Sequence, residues 1–226
     1  MRNSNKILLG LIIILLGGIV IFDILLRNIY LKINRNNPLK NYGTVSLQPF
    51  NHLKIKGGNA YSIKFQQDNK TEIKVLNNRK SFLKTSLKGD TLFVSFAVMG
   101  NNQLRFADNL PVGLMISAPT IKSITADGNS ILLHNWNLDS LNLTLNGNAT
   151  MRLRKNTINQ MRVNGNFYSL LNFETENQIM YLNLNLQQHA VAYLSDLTYK
   201  HFKPILKDSA QLVLGNKMIN RVFVKD

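Results

Sequence analysis

Apolar and polar positions alternate along most of the chain's second half. Leu141, Leu143 and Leu145 alternate with Asn142, Thr144 and Asn146; past a Gly-Asn pair, Ala149, Met151 and Leu153 alternate with Thr150, Arg152 and Arg154. A period of two sends one set of side chains inward and the other toward water, so each half reads as a β-strand. The phrase joining the halves recurs as Ala126-Asp127-Gly128-Asn129-Ser130, Leu145-Asn146-Gly147-Asn148-Ala149 and Val163-Asn164-Gly165-Asn166-Phe167, with glycines 19 and 18 residues apart. Weaker echoes follow at Leu186–Ala190 and Leu206–Ala210. Strand, turn and strand at a fixed spacing predict an all-β fold: a parallel β-helix, or solenoid, with short coils of about 18–23 residues.

Aligning the copies on the turn predicts stacked inward columns. One is Ala126, Leu145, Val163, Leu186 and Leu206, and the next is Ile124, Leu143, Met161 and Leu184. Beyond the turn come Ser130, Ala149, Phe167, Ala190 and Ala210, then Leu132, Met151, Ser169, Ala192 and Leu212. In this reading the bulk of Phe167 fills space left by Ala149 and Ala190. The structural turn positions are Gly128, Asn129, Gly147, Asn148, Gly165 and Asn166, because Gly and Asn tolerate the left-handed backbone region. Stacking the turns predicts an amide ladder through Asn129, Asn148 and Asn166.

Upstream, His52–Ile63 repeats the order of strand, Gly-Asn and strand, with Tyr61, Ile63 and Phe65 as its downstream apolar set. Strands are then expected at Glu72–Val75, Leu83–Leu87 and Leu92–Val98, with a turn at Lys88-Gly89-Asp90. They form a β-hairpin insertion after the first coil.

Residues 7–26 are almost wholly apolar, long enough for one N-terminal transmembrane helix. Asp23 interrupts the run, while Arg27 and Tyr30 suit an interfacial anchor. The length of the run, and the lack of a small-residue cleavage site in Phe22–Leu26, favour an uncleaved signal anchor over a cleaved signal peptide. The organisation expected is an N-terminal basic segment over 1–6, a transmembrane signal anchor over 7–26, a juxtamembrane linker over 27–41 and one β domain over 42–226. Basic residues flank the span on both sides, so charge does not choose an orientation. A β-solenoid on a signal anchor places the domain on the exported, periplasmic or surface side of a bacterial envelope.

The chain carries 27 Lys and Arg against 12 Asp and Glu, a net charge of +15, of which +10 belongs to residues 42–226. Such a charge favours acidic partners: an anionic lipid surface, an acidic glycan or another envelope protein. The lysines are scattered and not interleaved with aromatics, which speaks against nucleic acid. With no cysteine, thiol nucleophiles and Cys-based metal sites are excluded. The histidines (His52, His134, His189 and His201) show no metal-ligand spacing. His134 is expected in the inward column beside Leu153, and His189 in a turn.

Sugar-cleaving solenoids need clustered carboxylates. Here Asp127, Asp139, Glu174, Glu176, Asp196 and Asp208 fall on different coils, with Glu174 and Glu176 sharing one strand face. No catalytic residue, cofactor or metal is expected, and the chain is read as not an enzyme. The densest basic group is Arg152, Arg154, Lys155 and Arg162, a possible face for an anionic ligand. Arg152 and Arg154 project from one side of a strand, where they either grip an acidic sugar or blunt strand association. Trp136, the chain's single tryptophan, reads either as partly buried packing or as a sugar-stacking ring.

Three motifs together resemble a known family. They are Phe50-x-x-Leu53-x-Ile55-x-Gly57-Gly58-x-Ala60-Tyr61-x-Ile63, then Gly89-Asp90-Thr91-Leu92-Phe93-Val94-Ser95, and Val112–Ile124 leading into Asp127-Gly128-Asn129-Ser130. Over about Phe50 to Leu214 the chain is similar to the auto-transporter adhesin "head GIN" domain family of Bacteroidetes-type bacteria. The resemblance implies a β-solenoid envelope domain with no established biochemical activity, and no catalytic residue follows from it. The function expected is a non-enzymatic, membrane-anchored binding, adhesion or scaffolding module. The alternative is a carbohydrate-active enzyme or lectin-like binder of acidic glycans using the Arg152–Arg162 face.

Overall fold

The computed structural model describes residues 3–32, 39–57, 62–96 and 112–215. The chain divides into two compact units, Met1–Asn41 and Tyr42–Asp226. In the first, helix α1 runs over Asn3–Lys32, and its stretch Gly10–Leu31 is long and apolar enough to cross a membrane. The helix thus continues past the apolar run into the residues expected to form a linker. An uninterrupted helix keeps every backbone group of such a segment hydrogen-bonded.

The second unit is mostly β. Its strands are β1 (Tyr42–Ser46), β2 (His52–Lys56), β3 (Ser62–Gln67), β4 (Glu72–Leu76), β5 (Leu83–Lys88), β6 (Thr91–Phe96), β7 (Val112–Ala118), β8 (Ser123–Asp127) and β9 (Ser130–His134). They continue with β10 (Asn137–Asn146), β11 (Thr150–Arg154), β12 (Thr157–Gly165), β13 (Leu170–Phe173), β14 (Asn177–Leu186), β15 (Val191–Leu194), β16 (Leu197–Leu206) and β17 (Gln211–Leu214). A short 3₁₀ turn, Asn77–Phe82, links β4 to β5.

From β8 onward the chain alternates between two sheets. Strands β8, β10, β12, β14 and β16 lie side by side and parallel in one; β9, β11, β13, β15 and β17 do so in the other. The alternating residues predicted as inward are the ones buried: Leu141, Leu143, Leu145, Met151 and Leu153 join one apolar cluster fed by both sheets.

Three departures from the sequence reading have physical causes. Both sheets are mixed, because β1 and β4 join the nine-stranded sheet antiparallel and β5 joins the eight-stranded one antiparallel. The inserted strands also do more than form a hairpin. The β5–β6 hairpin exists, with Gly89 at φ 58°, but β6 also pairs in parallel with β2, and β7 with β3. The first strand pair therefore sits between β6/β7 and β8/β9, out of chain order. Residues 58–61 and 97–111, which include the expected apolar Tyr61 and the end of the Leu92–Val98 strand, lie outside the described residues.

The third departure is register. Gly165 is not a turn residue; it ends β12, buried opposite Leu145 and Leu186. A Cβ there would lie 2.7 Å from Leu186 Cδ2, so a larger residue would have to displace that side chain, and glycine serves packing here rather than backbone freedom. The turn falls instead at Asn166-Phe167-Tyr168-Ser169, with Phe167 at φ 49° and Tyr168 at φ 60°. The columns become Ala126, Leu145, Gly165, Leu186, Leu206 and Ile124, Leu143, Val163, Leu184, Pro204. Beyond the turn they run Ile131, Met151, Leu171, Ala192, Leu212. Phe167 is 54% exposed and fills no core space. Gly128 and Gly147 do occupy turns at positive φ, and so does His189, at φ 63°.

Candidate functional site

The candidate basic face is built on the outer side of the nine-stranded sheet. Arg152 and Arg154 alternate with inward Met151 and Leu153 on β11, so both guanidinium groups emerge on the same side. The next coil answers them with a carboxylate. Glu174, just past β13, receives hydrogen bonds from Arg154 Nε at 2.9 Å and Nη2 at 2.5 Å, and lies 3.7 Å from Arg152 Nη1. Lys155 Nζ lies 3.7 Å from Glu176 in the same way. Glu174 and Glu176 do not share a strand face: β13 ends at Phe173, and Glu176 sits in the following bend at φ 57°.

Arg162 belongs elsewhere. It is on β12 in the other sheet, exposed between Asn142 and Asn183 in register. The four residues grouped by sequence are thus divided between two sheets, and three of them face carboxylates.

His134 does not point into the core, as Leu133 takes the inward place in register with Leu153 and His134 lies beside Arg154. Its pKa is held below the ordinary histidine value, first by burial and then by Lys64, with Arg154 and Lys155 adding to the effect and a backbone hydrogen bond with Arg154 opposing it. The ring is therefore neutral at pH 7. On the neighbouring strands β11 and β13, Arg152 Nε and Asn172 Oδ1 are buried without a hydrogen-bond partner.

The remaining candidates are structural. Trp136 is 1% exposed, its Nε1 donates to the Phe65 carbonyl at 3.0 Å, and its ring packs on Phe65, so it offers no surface to a sugar. His52 Nδ1 is 2.6 Å from Ser123 Oγ, and its Nε2 faces Asp90 at 3.5 Å. His189 stacks on Tyr168 and His201 on Tyr181, with centroids 5.0 and 4.8 Å apart. Among the described residues no group of three or more His, Asp or Glu is placed to hold a metal.

The amide ladder expected through Asn129, Asn148 and Asn166 does not form; two separate asparagine pairs bridge neighbouring coils instead. Asn166 Nδ2 donates to Asn146 Oδ1 at 3.0 Å and Asn185 Nδ2 to Asn164 Oδ1 at 3.3 Å, while Asn129 turns inward to the Ile55 and Asp127 carbonyls. At the opposite corner a buried asparagine pair, which the repeat pattern does not predict, bridges successive coils. Asn156 Nδ2 donates to Asn177 Oδ1 at 3.0 Å, and Asn156 Oδ1 accepts the Trp136 backbone N–H. The available signal was the spacing of Trp136, Asn156 and Asn177, each placed just before a Thr, Gln or Asn that opens an alternating run.

No protein-family model matches the chain, and no curated protein matches it. Among solved structures it is similar to a "putative adhesin" from Bacteroides fragilis, at 15% identity and TM-score 0.46, over 77% of this chain and 93% of that one. It is also similar to a protein of the same description from Parabacteroides merdae, at 12% identity and TM-score 0.36, over 76% of this chain and 95% of that one. A "putative cell adhesion protein" from Clostridium sporogenes matches at 10% identity and TM-score 0.33, over 76% of this chain and 98% of that one.

Proposed function

We propose that this chain is a non-enzymatic envelope protein, anchored by α1, whose repeats form the coils of a β-solenoid used for binding, adhesion or scaffolding. The observation that carries this reading is the parallel run of β8, β10, β12, β14 and β16, in which Ile124, Leu143, Val163 and Leu184 follow at spacings of 19, 20 and 21 residues. Stacked coils of this kind present long flat outer faces, a geometry suited to engaging an extended partner. The resemblance to the head GIN family points the same way.

In this reading the β unit lies on the exported side, and α1 stays in the membrane uncleaved. Full-length chain is then expected to resist alkaline extraction from membranes, with its β unit digested by protease added to spheroplasts. A soluble product lacking Gly10–Leu31 would instead mark that helix as a cleaved leader. Turnover of an acidic polysaccharide that disappears on Arg152→Ala or Arg154→Ala would overturn the non-enzymatic assignment.

A second reading, a lectin-like binder of acidic glycans, draws on the Arg152 and Arg154 guanidinium groups, which emerge on the same side of β11. It would use these two arginines rather than the four-residue basic face, because Arg162 lies on the other sheet.

A further inference from the structure

A group of lysines without ion pairs among the described residues lies on the eight-stranded sheet, at its β5 end. Strands β5, β6 and β2 are adjacent, and their inward residues Leu53, Ile55, Leu92 and Val94 are buried. Alternation sends the others outward in three registered rows: His52, Thr91 and Lys88; Lys54, Phe93 and Ser86; Lys56, Ser95 and Lys84. These outward positions hold four lysines, a histidine, three hydroxyls and one aromatic ring, with no carboxylate among them. Lys54 Nζ and Lys88 Nζ lie 5.5 and 5.8 Å from the Phe93 centroid, flanking the ring. The bordering carboxylates are Asp90, which faces His52, and Asp127, next in register to Lys56. Among the described residues, Lys54, Lys56, Lys84 and Lys88 make no ion pair.

We infer that this face is a docking surface for anionic phospholipid headgroups, by which the β unit lies against the membrane that α1 spans. The inference rests on the anchored reading above. Two facts select lipid as the occupant. Four lysines without ion pairs, two of them flanking a partly exposed phenyl ring, make an outward sheet face that is cationic and weakly apolar, which complements an anionic bilayer interface. The chain also supplies the proximity. Nine residues separate the end of α1 from the start of β1, a span of about 30 Å at full extension, so a bilayer-embedded helix keeps the β unit near the headgroups. At that distance modest per-lysine attraction acts at high effective concentration.

The test uses full-length chain in nanodiscs of phosphatidylcholine, with or without a third of phosphatidylglycerol. The chain has no cysteine, so Ser86→Cys, beside Phe93 in register, carries a unique environment-sensitive fluorophore. The expected result is a several-fold stronger quenching by headgroup-labelled doxyl lipid in anionic than in neutral discs. It should vanish at high salt and in the K54Q/K56Q/K84Q/K88Q variant, whose circular dichroism checks the fold. Equal quenching in both discs, or quenching unaffected by the lysine changes, would overturn the proposal. So would displacement from anionic discs by a stoichiometric soluble polyanion at constant ionic strength, which would assign the face to a free anion. A chain that fails to co-purify with neutral discs would refute the anchor alone. Recruitment to anionic discs would then still report the face through the same label, and lack of recruitment would overturn it too.

Discussion

Asn156 and Asn177 sit one above the other at successive corners, both at most 1% exposed, with Asn156 Nδ2 donating to Asn177 Oδ1 at 3.0 Å. Each also reaches back to a carbonyl of the coil before it, Asn156 to Leu133 and Asn177 to Leu153. The pair ties together corners whose backbone groups would otherwise be buried without partners. Asn156→Ala strands the Trp136 N–H and the Leu133 carbonyl, so a loss of about 2–6 kcal/mol is expected, at roughly 1–3 kcal/mol per orphaned group. Chemical denaturation followed by fluorescence of buried Trp136 reads it directly; a loss within error of zero would mean that water replaces the amide.

Gly165 provides a second test, of packing against turn chemistry. Its φ is ordinary, but a Cβ would press on Leu186 Cδ2 at 2.7 Å and Ser169 Oγ at 3.1 Å. Gly165→Ala is expected to cost about 1–3 kcal/mol through overpacking. Pairing it with Leu186→Ala should recover part of that loss in a double-mutant cycle. Absence of coupling would show that the two do not compete for the same space.

Phe167 and Tyr168 occupy the left-handed region in a turn where other coils place Gly128 or Gly147. A bulky L-residue there costs about 1–2 kcal/mol, whereas Asn adapts. Since Phe167 is 54% exposed, Phe167→Asn should stabilise the β unit, by about 0.5–1 kcal/mol. A shift of the denaturation midpoint upward at unchanged slope is the expected signature.

His134 sets a pH dependence. Its folded-state pKa lies below the unfolded value, because of burial first and Lys64 next, so the native state resists protonation. Its contribution to stability is therefore complete above the unfolded pKa of about 6.5 and falls as pH drops through that value toward the lowered one. Stability measured from pH 7.5 down to pH 5.5 should decline, and His134→Gln should flatten the decline. An equal slope in the variant would assign the dependence to other groups.

Glu174 lies between two guanidinium groups, yet Arg154 is 44% exposed, so water screens the pair. Glu174→Gln is expected to lower stability by no more than about 1 kcal/mol. It should at the same time strengthen retention of the chain on a sulfated matrix by freeing Arg152 and Arg154. Unchanged retention would count against the acidic-glycan reading.

The amino-acid sequence by itself determined most of the strands of the repeat region, the inward faces of strands such as β10 and β11, the spacing near twenty and an apolar helix of membrane-crossing length. Those properties depend on alternation and local composition, which act over a few residues. It placed Gly128, Gly147 and His189 between strands, because apolar and polar residues alternate in the few positions leading up to each.

The tertiary structure decided register and neighbourhood. In the third coil Gly165 imitates the Gly-Asn turns upstream, but the bulk of Leu186 in the next coil claims the space above it, and the turn moves on to Phe167-Tyr168. Arg152 and Arg162 look adjacent along the chain, yet the corner at Lys155–Asn156 sends them to different sheets. Lys54 and Lys88 look unrelated along the chain, yet β6 brings them to either side of Phe93. Contacts between coils join residues about twenty or more positions apart, and the energies that choose among such pairings come from packing and ion pairing across strands, which a local pattern does not contain.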